Sequence, residues 1–463
     1  MALNDSGRKD LTRGNMLKNL FSFALPFMLA NFLQALYGAV DLWVVGKFGG
    51  GKISVAAVAN GSEVMHLVMS FIMGITTGAT VLIGNFFGAG DKRNTSRSIG
   101  MTMSISALLG VISTLLMVAM SPLLAKALRT PAEALSQTVD YLQICSWGVF
   151  FIFSYNALAA IFRGFGNSVA PMIFVGIACV CNVIGDLLLV AYWDMGPAGA
   201  AWATIVSQAL SSVFALLYLK YGNFGFKFRL PNFRIVWSLA DRYLKIGLPL
   251  AIQGVLINIS FLFIVSIVNA MGGSDSAPAA GYGIVNRFNG FAMLPAISFA
   301  MAMAAITAQN IGANKPVRAV KTLYAAICVT MLIGAVFLLI MQFYPEKIIA
   351  MFIDPGAEGG MDVIRHGVLY AKSFSWEYIL VPIVFCTNGF FNGCGRAFFS
   401  MSNNLLGTFL VRVPVSWFFS ICAGATLAHV GMAAPLASLV TNIISLSYLF
   451  SKKWMPEKRK INK

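Results

Sequence analysis

Long apolar runs separated by short polar turns dominate this sequence. Twelve such runs occur, near residues 19–45, 53–87, 98–124, 135–162, 169–193, 197–219, 246–271, 279–311, 317–343, 363–391, 397–427 and 430–450. Each run reaches the roughly 20 residues that an α-helix needs to cross a bilayer. The pattern therefore predicts an all-α polytopic membrane protein with twelve transmembrane helices.

The composition agrees with this interpretation, because 58% of the 463 residues are hydrophobic and only 11% are charged. The apolar runs are continuous rather than alternating, which excludes a transmembrane β-barrel. A net charge of +16 would otherwise suggest nucleic-acid binding, but most Lys and Arg residues lie in alternate gaps between spans, as the positive-inside rule requires. We predict no nucleic-acid partner, both termini in the cytoplasm, and a location in the inner or plasma membrane of the cell.

The second half of the chain repeats the first. Gly247-Leu248-Pro249 matches Ala24-Leu25-Pro26, and residues 391–395 match residues 162–166. Six spans per repeat give both halves the same orientation, so the pseudo-symmetry axis runs along the membrane normal. We therefore predict two pseudo-symmetric six-helix bundles, with the cleft between them as the substrate path.

This duplication fixes the predicted organisation of the chain. The predicted parts, in order, are a cytoplasmic N-terminal segment, an N-lobe, a cytoplasmic linker, a C-lobe and a basic cytoplasmic tail, at residues 1–18, 19–219, 220–245, 246–451 and 452–463. The N-terminal segment is followed by an apolar run too long for a signal-peptide core, so we expect it to remain uncleaved.

A few polar residues inside the apolar spans are candidates for function. Asn182 and Asp186 are four residues apart, so they share one face of a helix. A carboxylate at such depth costs roughly 2.5–3.5 kcal/mol on insertion scales, which marks either a functional site or a polar pair that joins two helices. With Asp41 and Thr204 they form an oxygen-rich set of the kind that accepts a hard cation such as Na⁺. Two neighbouring carboxylates repel each other unless a cation or a proton neutralises one of them.

Several motifs, taken in order, resemble the multidrug and toxic compound extrusion (MATE) transporter family over nearly the whole chain. They are Leu25-Pro26, Asp41, Gly88-Ala89-Gly90-Asp91, Arg163-Gly164-Phe165-Gly166, and Asn182 and Asp186 followed by residues 199–204. The resemblance, particularly to the DinF-like branch, implies a cation-coupling site, with Na⁺ as one candidate ion, at Asp41, Asn182, Asp186 and Thr204. It implies a secondary antiporter, not an enzyme, that expels small lipophilic organic cations in exchange for Na⁺ or H⁺, without a cofactor or an obligate protein partner.

Other polar residues of the spans receive roles by their position. We predict that the substrate cavity is lined by Gln34, Tyr37, Tyr141, Asn156, Gln253 and Glu377. For Glu377 we favour a structural role, as a neutralised ion pair with Arg287 or Arg412, over a charge that attracts a cationic substrate. Pro26 removes a backbone hydrogen bond and predicts a kink, which is either a moving hinge or a static bend.

Glu63 and His66 are three residues apart in the second apolar run. They share a helix face and are either a proton relay or packing residues, of which we favour packing.

Three other functions fit parts of the sequence. A lipid-linked oligosaccharide flippase would carry several arginines for the diphosphate, whereas the spans hold only Arg287 and Arg412. A membrane enzyme would need a catalytic cluster such as a His-rich metal site, and the chain has three His. A passive channel is disfavoured because no short filter-like loop interrupts the duplicated plan. The chain has no Gly-x-x-x-x-Gly-Lys-Ser/Thr motif, so ATP is not the direct energy source.

Overall fold

The computed structural model describes residues 8–128, 130–222, 224, 233–273, 275–422 and 424–455. This part of the chain is almost entirely α-helical and contains no β-strand. Some residues of three predicted segments lie outside it, namely 1–7 of the N-terminal segment, 223 and 225–232 of the linker, and 456–463 of the tail.

Six long helices form the first half. They are α1 (Met16–Phe48), α2 (Lys52–Gly88), α3 (Lys92–Ala127), α4 (Ala132–Gly164), α5 (Val169–Asp186) and α6 (Gly196–Tyr221). Short polar turns end them as the sequence predicts. Between α2 and α3, Gly90 takes a positive φ of 71°, and the Asp91 side chain caps α3 by accepting a hydrogen bond from the Asn94 amide at 3.0 Å.

Among the described residues of the second half, nine α-helices occur. They are α7 (Trp237–Gly272), α8 (Ala277–Gly312), α9 (Pro316–Phe343), α10 (Pro345–Ala350), α11 (Gly360–Phe374), α12 (Glu377–Gly393), α13 (Ala397–Leu405), α14 (Val413–Ile421) and α15 (Leu427–Phe450). The short α10 lies in the gap between the predicted spans at residues 317–343 and 363–391. Helices α11 and α12 make up the predicted tenth span, which bends by 50° between them.

Within the described ranges, eleven helical segments are long and apolar enough to cross a membrane, and the bent pair α11–α12 provides a twelfth. The prediction of an all-α polytopic membrane protein is confirmed. The helices extend past the predicted spans, since α3 begins at Lys92 and α7 at Trp237. These extra turns carry charged and aromatic residues, which hydropathy assigns to the polar gaps although they continue the helix.

A π-helical turn occurs in the fifth span of each half. The first, Leu187–Tyr192, directly follows Asp186 at the end of α5, and the second, Leu406–Arg412, joins α13 to α14. Such turns are rare and are frequent at functional sites. Both segments are predicted as ordinary helix from the sequence, because their residues give no local signal for the wider turn.

Residue contacts divide the chain into two units. The first comprises Met1–Gly14, Phe21–Ala251 and Ala308–Asn314, and the second comprises Asn15–Leu20, Ile252–Thr307 and Lys315–Lys463. The last turn of α8 therefore belongs to the first unit. The lobe boundaries at residues 219 and 246 stay predictions.

Helix α4 is the centre of the first unit, because it packs against α2, α3 and α6. Every residue from Tyr155 to Gly164 is buried, and α5 packs along α6. In the second unit, α12 packs against α9 and α15. The Tyr370 ring stacks on that of Phe374, which meets the Tyr378 ring edge to face across the α11–α12 bend. The helices that carry the predicted cation site thus lie around or beside α4.

Candidate functional site

The four residues predicted to bind the coupling ion come from three helices of the first unit. Asp41 lies on α1, Asn182 and Asp186 on α5, and Thr204 on α6; together they are called the coupling cluster. The Thr204 hydroxyl joins the helices, because it contacts Asp41 Oδ2 at 3.4 Å and the Asn182 amide nitrogen at 3.3 Å. Thr204 donates to the carboxylate and accepts from the amide. The structure therefore brings the predicted residues together.

Both carboxyl groups of the coupling cluster are buried, with Asp41 6% and Asp186 0% exposed. The two carboxyl groups lie within hydrogen-bonding reach of each other. A proton on either one would let it donate to the other, whereas two ionised groups have no donor between them. An ion or a proton is therefore required to relieve their repulsion.

Several buried oxygen atoms of the coupling cluster have no hydrogen-bond donor in the described part of the chain. They are Asp41 Oδ1, Asn182 Oδ1 and both carboxylate oxygens of Asp186. The ion pairs found among the described residues are Arg13–Asp10 and Lys245–Asp241, so neither Asp41 nor Asp186 is neutralised by a Lys or an Arg there. Leaving such acceptors buried without a partner costs roughly 1–3 kcal/mol each, and more when they are charged.

The chemistry of these ligands restricts the ion. Two carboxylates, an amide oxygen and a hydroxyl offer oxygen ligands only, which suit a proton or a hard cation such as Na⁺. Over the described ranges, no group of three or more His, Cys, Asp or Glu side chains could hold a metal. The coupling cluster is therefore poorly suited to a transition metal.

Three of the predicted cavity residues, Tyr37, Tyr141 and Asn156, make polar contacts within the first unit. The Tyr37 hydroxyl, one turn before Asp41 on α1, accepts a hydrogen bond from Gln208 at 3.5 Å. Tyr141 is buried on α4 and its hydroxyl lies 3.4 Å from that of Ser62. The buried Asn156 donates to the Ile152 carbonyl at 2.9 Å.

Two further residues of the predicted substrate cavity, Gln34 and Gln253, lie on α1 and α7. Gln34 and Gln253 are half-buried. A cavity of about 270 Å³ lies at the turns that join α1 to α2 and α5 to α6, and no residue of the predicted cavity set lines it. The predicted substrate cavity therefore stays a prediction.

Glu377 is the first residue of α12 and is buried. Its Oε1 accepts a hydrogen bond from the Ser438 hydroxyl at 2.6 Å, and Oε2 has no donor among the described residues. The favoured ion pair with Arg287 or Arg412 is not formed in the described part of the chain. Arg412 lies instead over the ring of Phe261, 4.4 Å from its centroid, a cation–π contact that competes with pairing.

Two further features differ from the sequence analysis. Glu63 and His66 are exposed on α2, so the favoured interpretation of His66 as a packing residue is wrong. Arg163, at the end of α4, is 3% exposed, and its Nε and Nη2 have no acceptor among the described residues. Its guanidinium lies 5.7 Å from the ring of Phe27. The sequence signal for a buried charge at this position is an Arg at the end of an apolar span. Arg163 was interpreted only as part of the motif Arg163-Gly164-Phe165-Gly166.

The comparisons with known proteins agree with this architecture. A family model described as MatE matches residues 26–188 and 249–418, one range in each half of the chain. The probable multidrug resistance protein YpnP of Bacillus subtilis is 28% identical over 454 residues, which cover 96% of this chain and 97% of that protein. The probable multidrug resistance protein NorM of Thermotoga maritima is 24% identical, over 96% of this chain and 94% of its own.

Solved structures show the same fold. A MOP superfamily transporter from Pyrococcus furiosus superposes with a TM-score of 0.89 at 22% identity, over 98% of both chains. A MATE protein in a bent conformation superposes with a TM-score of 0.87 at 21% identity, over 96% of this chain and 97% of that chain. Because the family model covers most of the chain and extends over both halves, the resemblance is confirmed: the chain belongs to the MatE family, whose members are membrane transporters and not enzymes.

Proposed function

We propose that this protein is a secondary antiporter that exports amphipathic, cationic organic compounds in exchange for Na⁺ or H⁺. The observation that carries the proposal is the group of buried, donorless oxygen atoms around Asp41 and Asp186. Relatives named as multidrug resistance proteins support export of organic compounds. The positive-inside charge pattern supports an inner or plasma membrane location with both termini in the cytoplasm.

Exchange follows from the charge of the coupling cluster. With both carboxylates ionised, the cluster carries two negative charges in a buried site, which is unfavourable without a counter-charge. Uptake of one cation or proton from outside removes part of that charge. The change reaches the neighbouring Tyr37 and Gln208 contact one turn away on α1, so ion occupancy alters the site that we assign to the substrate.

Helix α1 is the element that we propose responds to the ion. It runs without a break from Met16 to Phe48 and contains Pro26, which lacks a backbone donor and weakens the helix locally. Asp41 lies on the same helix, 15 residues further along. Neutralisation of Asp41 would change the contacts of α1 with α6, and Pro26 would be the hinge about which α1 bends.

The substrate class rests on composition and on charge. The chain holds 23 Met and 37 Phe, and flexible Met and aromatic side chains accept flat lipophilic molecules of varied shape. Carboxylates such as Glu377 and aromatic faces both favour a positive charge on the ligand. We therefore expect lipophilic cations to be exported better than neutral or anionic compounds of the same size.

Purified protein in proteoliposomes with a fluorescent cationic dye tests this function, with Na⁺ and proton gradients imposed separately. We expect Asp41→Asn and Asp186→Asn each to lower gradient-driven dye efflux at least tenfold, because each removes one charge of the coupling pair. Asp362→Asn, which alters an exposed carboxylate at the start of α11, is the control and should transport normally. Gradient-driven efflux that survives both substitutions together would refute the coupling assignment.

A further inference from the structure

The cavity at the turns that join α1 to α2 and α5 to α6 carries two carboxylates. Its lining includes Asp140 on α4 and Asp194 in the turn before α6, and both residues are exposed. Ser54 and Gln137 also line it, and the Ser54 hydroxyl donates to Gln137 Oε1 at 2.9 Å. In the part of the chain that the structure describes, no Lys, Arg or His lines this cavity. It is therefore a negatively charged recess, here called the chamber, and its lining residues all belong to the Phe21–Ala251 part of the first unit.

The size of the chamber indicates what it can hold. Its volume is about 270 Å³, below the roughly 300–1,000 Å³ of pockets that bury drug-sized molecules. In the liquid a water molecule occupies about 30 Å³, so the chamber has room for several waters and a small ion. Carboxylates on the walls of a recess raise the local concentration of cations. The chamber therefore suits a small inorganic cation better than an organic substrate.

A layer of buried side chains lies one helical turn from the chamber. It is here called the seal and comprises Val45, Val58, Tyr141, Val190 and Ala201, which belong to one hydrophobic cluster and are at most 4% exposed. Each seal residue stands four positions along the chain from a chamber residue of its own segment, at positions 49, 54, 137, 194 and 197. Four residues make about one helical turn, or roughly 6 Å. The seal therefore closes the inner side of the chamber with mainly apolar groups.

The coupling cluster lies about one turn further along the same segments. Its residues at positions 41, 186 and 204 are separated from the seal residues of α1, the π-helical turn and α6 by four, four and three positions. The chamber, the seal and the coupling cluster thus follow one another in the same order along three segments, over roughly 12 Å. The seal is tightly packed, because a Cβ atom on Gly49 would lie 3.1 Å from Val190 Cγ1. Val190 lies in the π-helical turn Leu187–Tyr192, a kind of turn that is frequent at functional sites.

We propose that the chamber is the entry site for the coupling ion, a proton or a small inorganic cation, and that the seal controls its passage to the coupling cluster. Asp41 Oδ1 and both carboxylate oxygens of Asp186 are buried without a donor among the described residues, so an ion that reaches them has to come from water. An apolar constriction passes water and ions only while it is wetted. This role exists only in an ion-coupled antiporter, so it rests on the proposed function. In the predicted topology the chamber lies on the outer side, from which the ion enters.

Water access to the inner side of the seal is measured by hydroxyl-radical footprinting of the full-length protein in lipid nanodiscs, since radicals formed in water oxidise the side chains that water reaches. The reporter is Cys145, which is 3% exposed and lies one turn beyond Tyr141 on α4. We expect Val190→Ala, which removes two methyl groups, and Val190→Thr, which keeps the volume and adds a hydroxyl, each to speed oxidation of Cys145 about tenfold. The matched control is Val175→Ala, because Val175 is also buried on α5 but lies beyond the coupling cluster from the chamber, so Cys145 should react as in the wild type.

Ion entry is measured by dye efflux from proteoliposomes at low ionic strength. One negative charge about 10 Å away in water changes the local concentration of a monovalent cation about twofold. We therefore expect Asp140→Asn and Asp194→Asn each to raise the half-saturating concentration of the coupling ion about twofold, and the shift to vanish at high ionic strength. Asparagine tolerates the left-handed backbone of Asp194, whose φ is 53°. The control is Glu133→Gln, which removes an exposed charge from the first turn of α4 outside the chamber and should have a smaller effect, because it lies farther from the seal.

Three kinds of result would overturn the proposal. Oxidation of Cys145 in the wild type as fast as that of the exposed Cys422 would show that no seal exists. Unchanged oxidation of Cys145 in both Val190 variants, or an equal rise in the Val175 variant, would make the layer ordinary core packing. An unchanged ion dependence in both Asp variants, while the wild type exports the dye, would remove the chamber from the ion path. Footprinting needs no dye, so a wild type that fails to export the dye would count against the proposed function, while the seal is still read.

Discussion

The hydroxyl of Thr204 offers the sharpest test of the coupling cluster. It is the group that connects α6 to both α1 and α5, through Asp41 at 3.4 Å and Asn182 at 3.3 Å. Thr204→Val removes this hydroxyl and keeps the branched shape of the side chain. The carboxylates and the packing of the three helices are otherwise unchanged, so the substitution tests a single oxygen atom.

The expected effect follows from the geometry. A hydrogen bond to a charged group contributes roughly 1.5–3 kcal/mol, and a contact of 3.4 Å lies at the long end of the range, where the contribution is smallest. About 1.4 kcal/mol corresponds to a tenfold change in a binding constant. We therefore expect Thr204→Val to shift the half-saturating concentration of the coupling ion by about tenfold.

The direction of this shift identifies the ion. If the ion is Na⁺, the variant lacks one oxygen ligand, so the half-saturating Na⁺ concentration rises. If the ion is a proton, loss of a donor to the Asp41 carboxylate favours the protonated form, so the half-saturating proton concentration falls. Initial rates of dye efflux from proteoliposomes, measured over a series of Na⁺ concentrations and separately over a series of pH values, give both quantities.

Thr204→Ser is the matched control, because it keeps the hydroxyl and should stay within about twofold of the wild type. Equal behaviour of the valine and serine variants, with neither ion dependence shifted, would show that this hydroxyl takes no part in ion binding. The coupling cluster would then reduce to the two carboxylates and Asn182.

Two further predictions concern buried charges outside the coupling cluster. Glu377→Gln keeps an acceptor for Ser438 and removes the negative charge. We therefore expect a several-fold higher half-saturating concentration for a cationic dye and no change for a neutral dye. Equal shifts for both dyes would contradict a charge-based role of Glu377. Arg163→Met should leave the thermal midpoint unchanged or raise it, because the buried Nε and Nη2 have no acceptor among the described residues and the Phe27 ring is 5.7 Å away, farther than Phe261 is from Arg412. Replacing poorly paired buried charge by apolar groups is often neutral or stabilising by about 1–4 kcal/mol. Arg412→Met is the contrasting variant, since it removes the contact with Phe261 and should lower the midpoint; a larger loss for Arg163→Met than for Arg412→Met would contradict this account.

The length and position of the spans could be predicted from the sequence, because apolar length alone decides whether a helix crosses a bilayer. The shared face of Asn182 and Asp186 could be predicted too, since four residues make about one helical turn. The contact of Thr204 with Asp41 joins residues 163 positions apart. Periodicity within one span carries no information about such a contact, and only the family resemblance pointed to it.

The hydrogen bond between Gln309 and Leu11 and the pairing of Glu377 show a different limit of sequence-based prediction. Gln309 and Leu11 are 298 positions apart, and neither residue type is unusual where it stands. For Glu377, the sequence favoured an Arg partner because charges buried in membranes are commonly paired. In the structure Glu377 accepts a hydrogen bond from the Ser438 hydroxyl, and Arg412 lies over the Phe261 ring. Which of several polar neighbours is chosen depends on side-chain packing, which a hydropathy pattern does not describe.

The two halves share a backbone feature but not the charge that goes with it. Each has a π-helical turn in its fifth span, directly after Asp186 in the first half and after Leu405 in the second. The two turns lie at different depths, because the first begins 25 residues after position 162 whereas the second begins 15 residues after the matching position 391. The matched motifs (24 with 247, and 162 with 391) make Ile264 the counterpart of Asp41 and Val415 the counterpart of Asp186, so the acidic pair belongs to the first half alone. Ion-dependent change should therefore begin in the first unit, in the contacts of α1 with α5 and α6, and the second half needs no coupling site of its own.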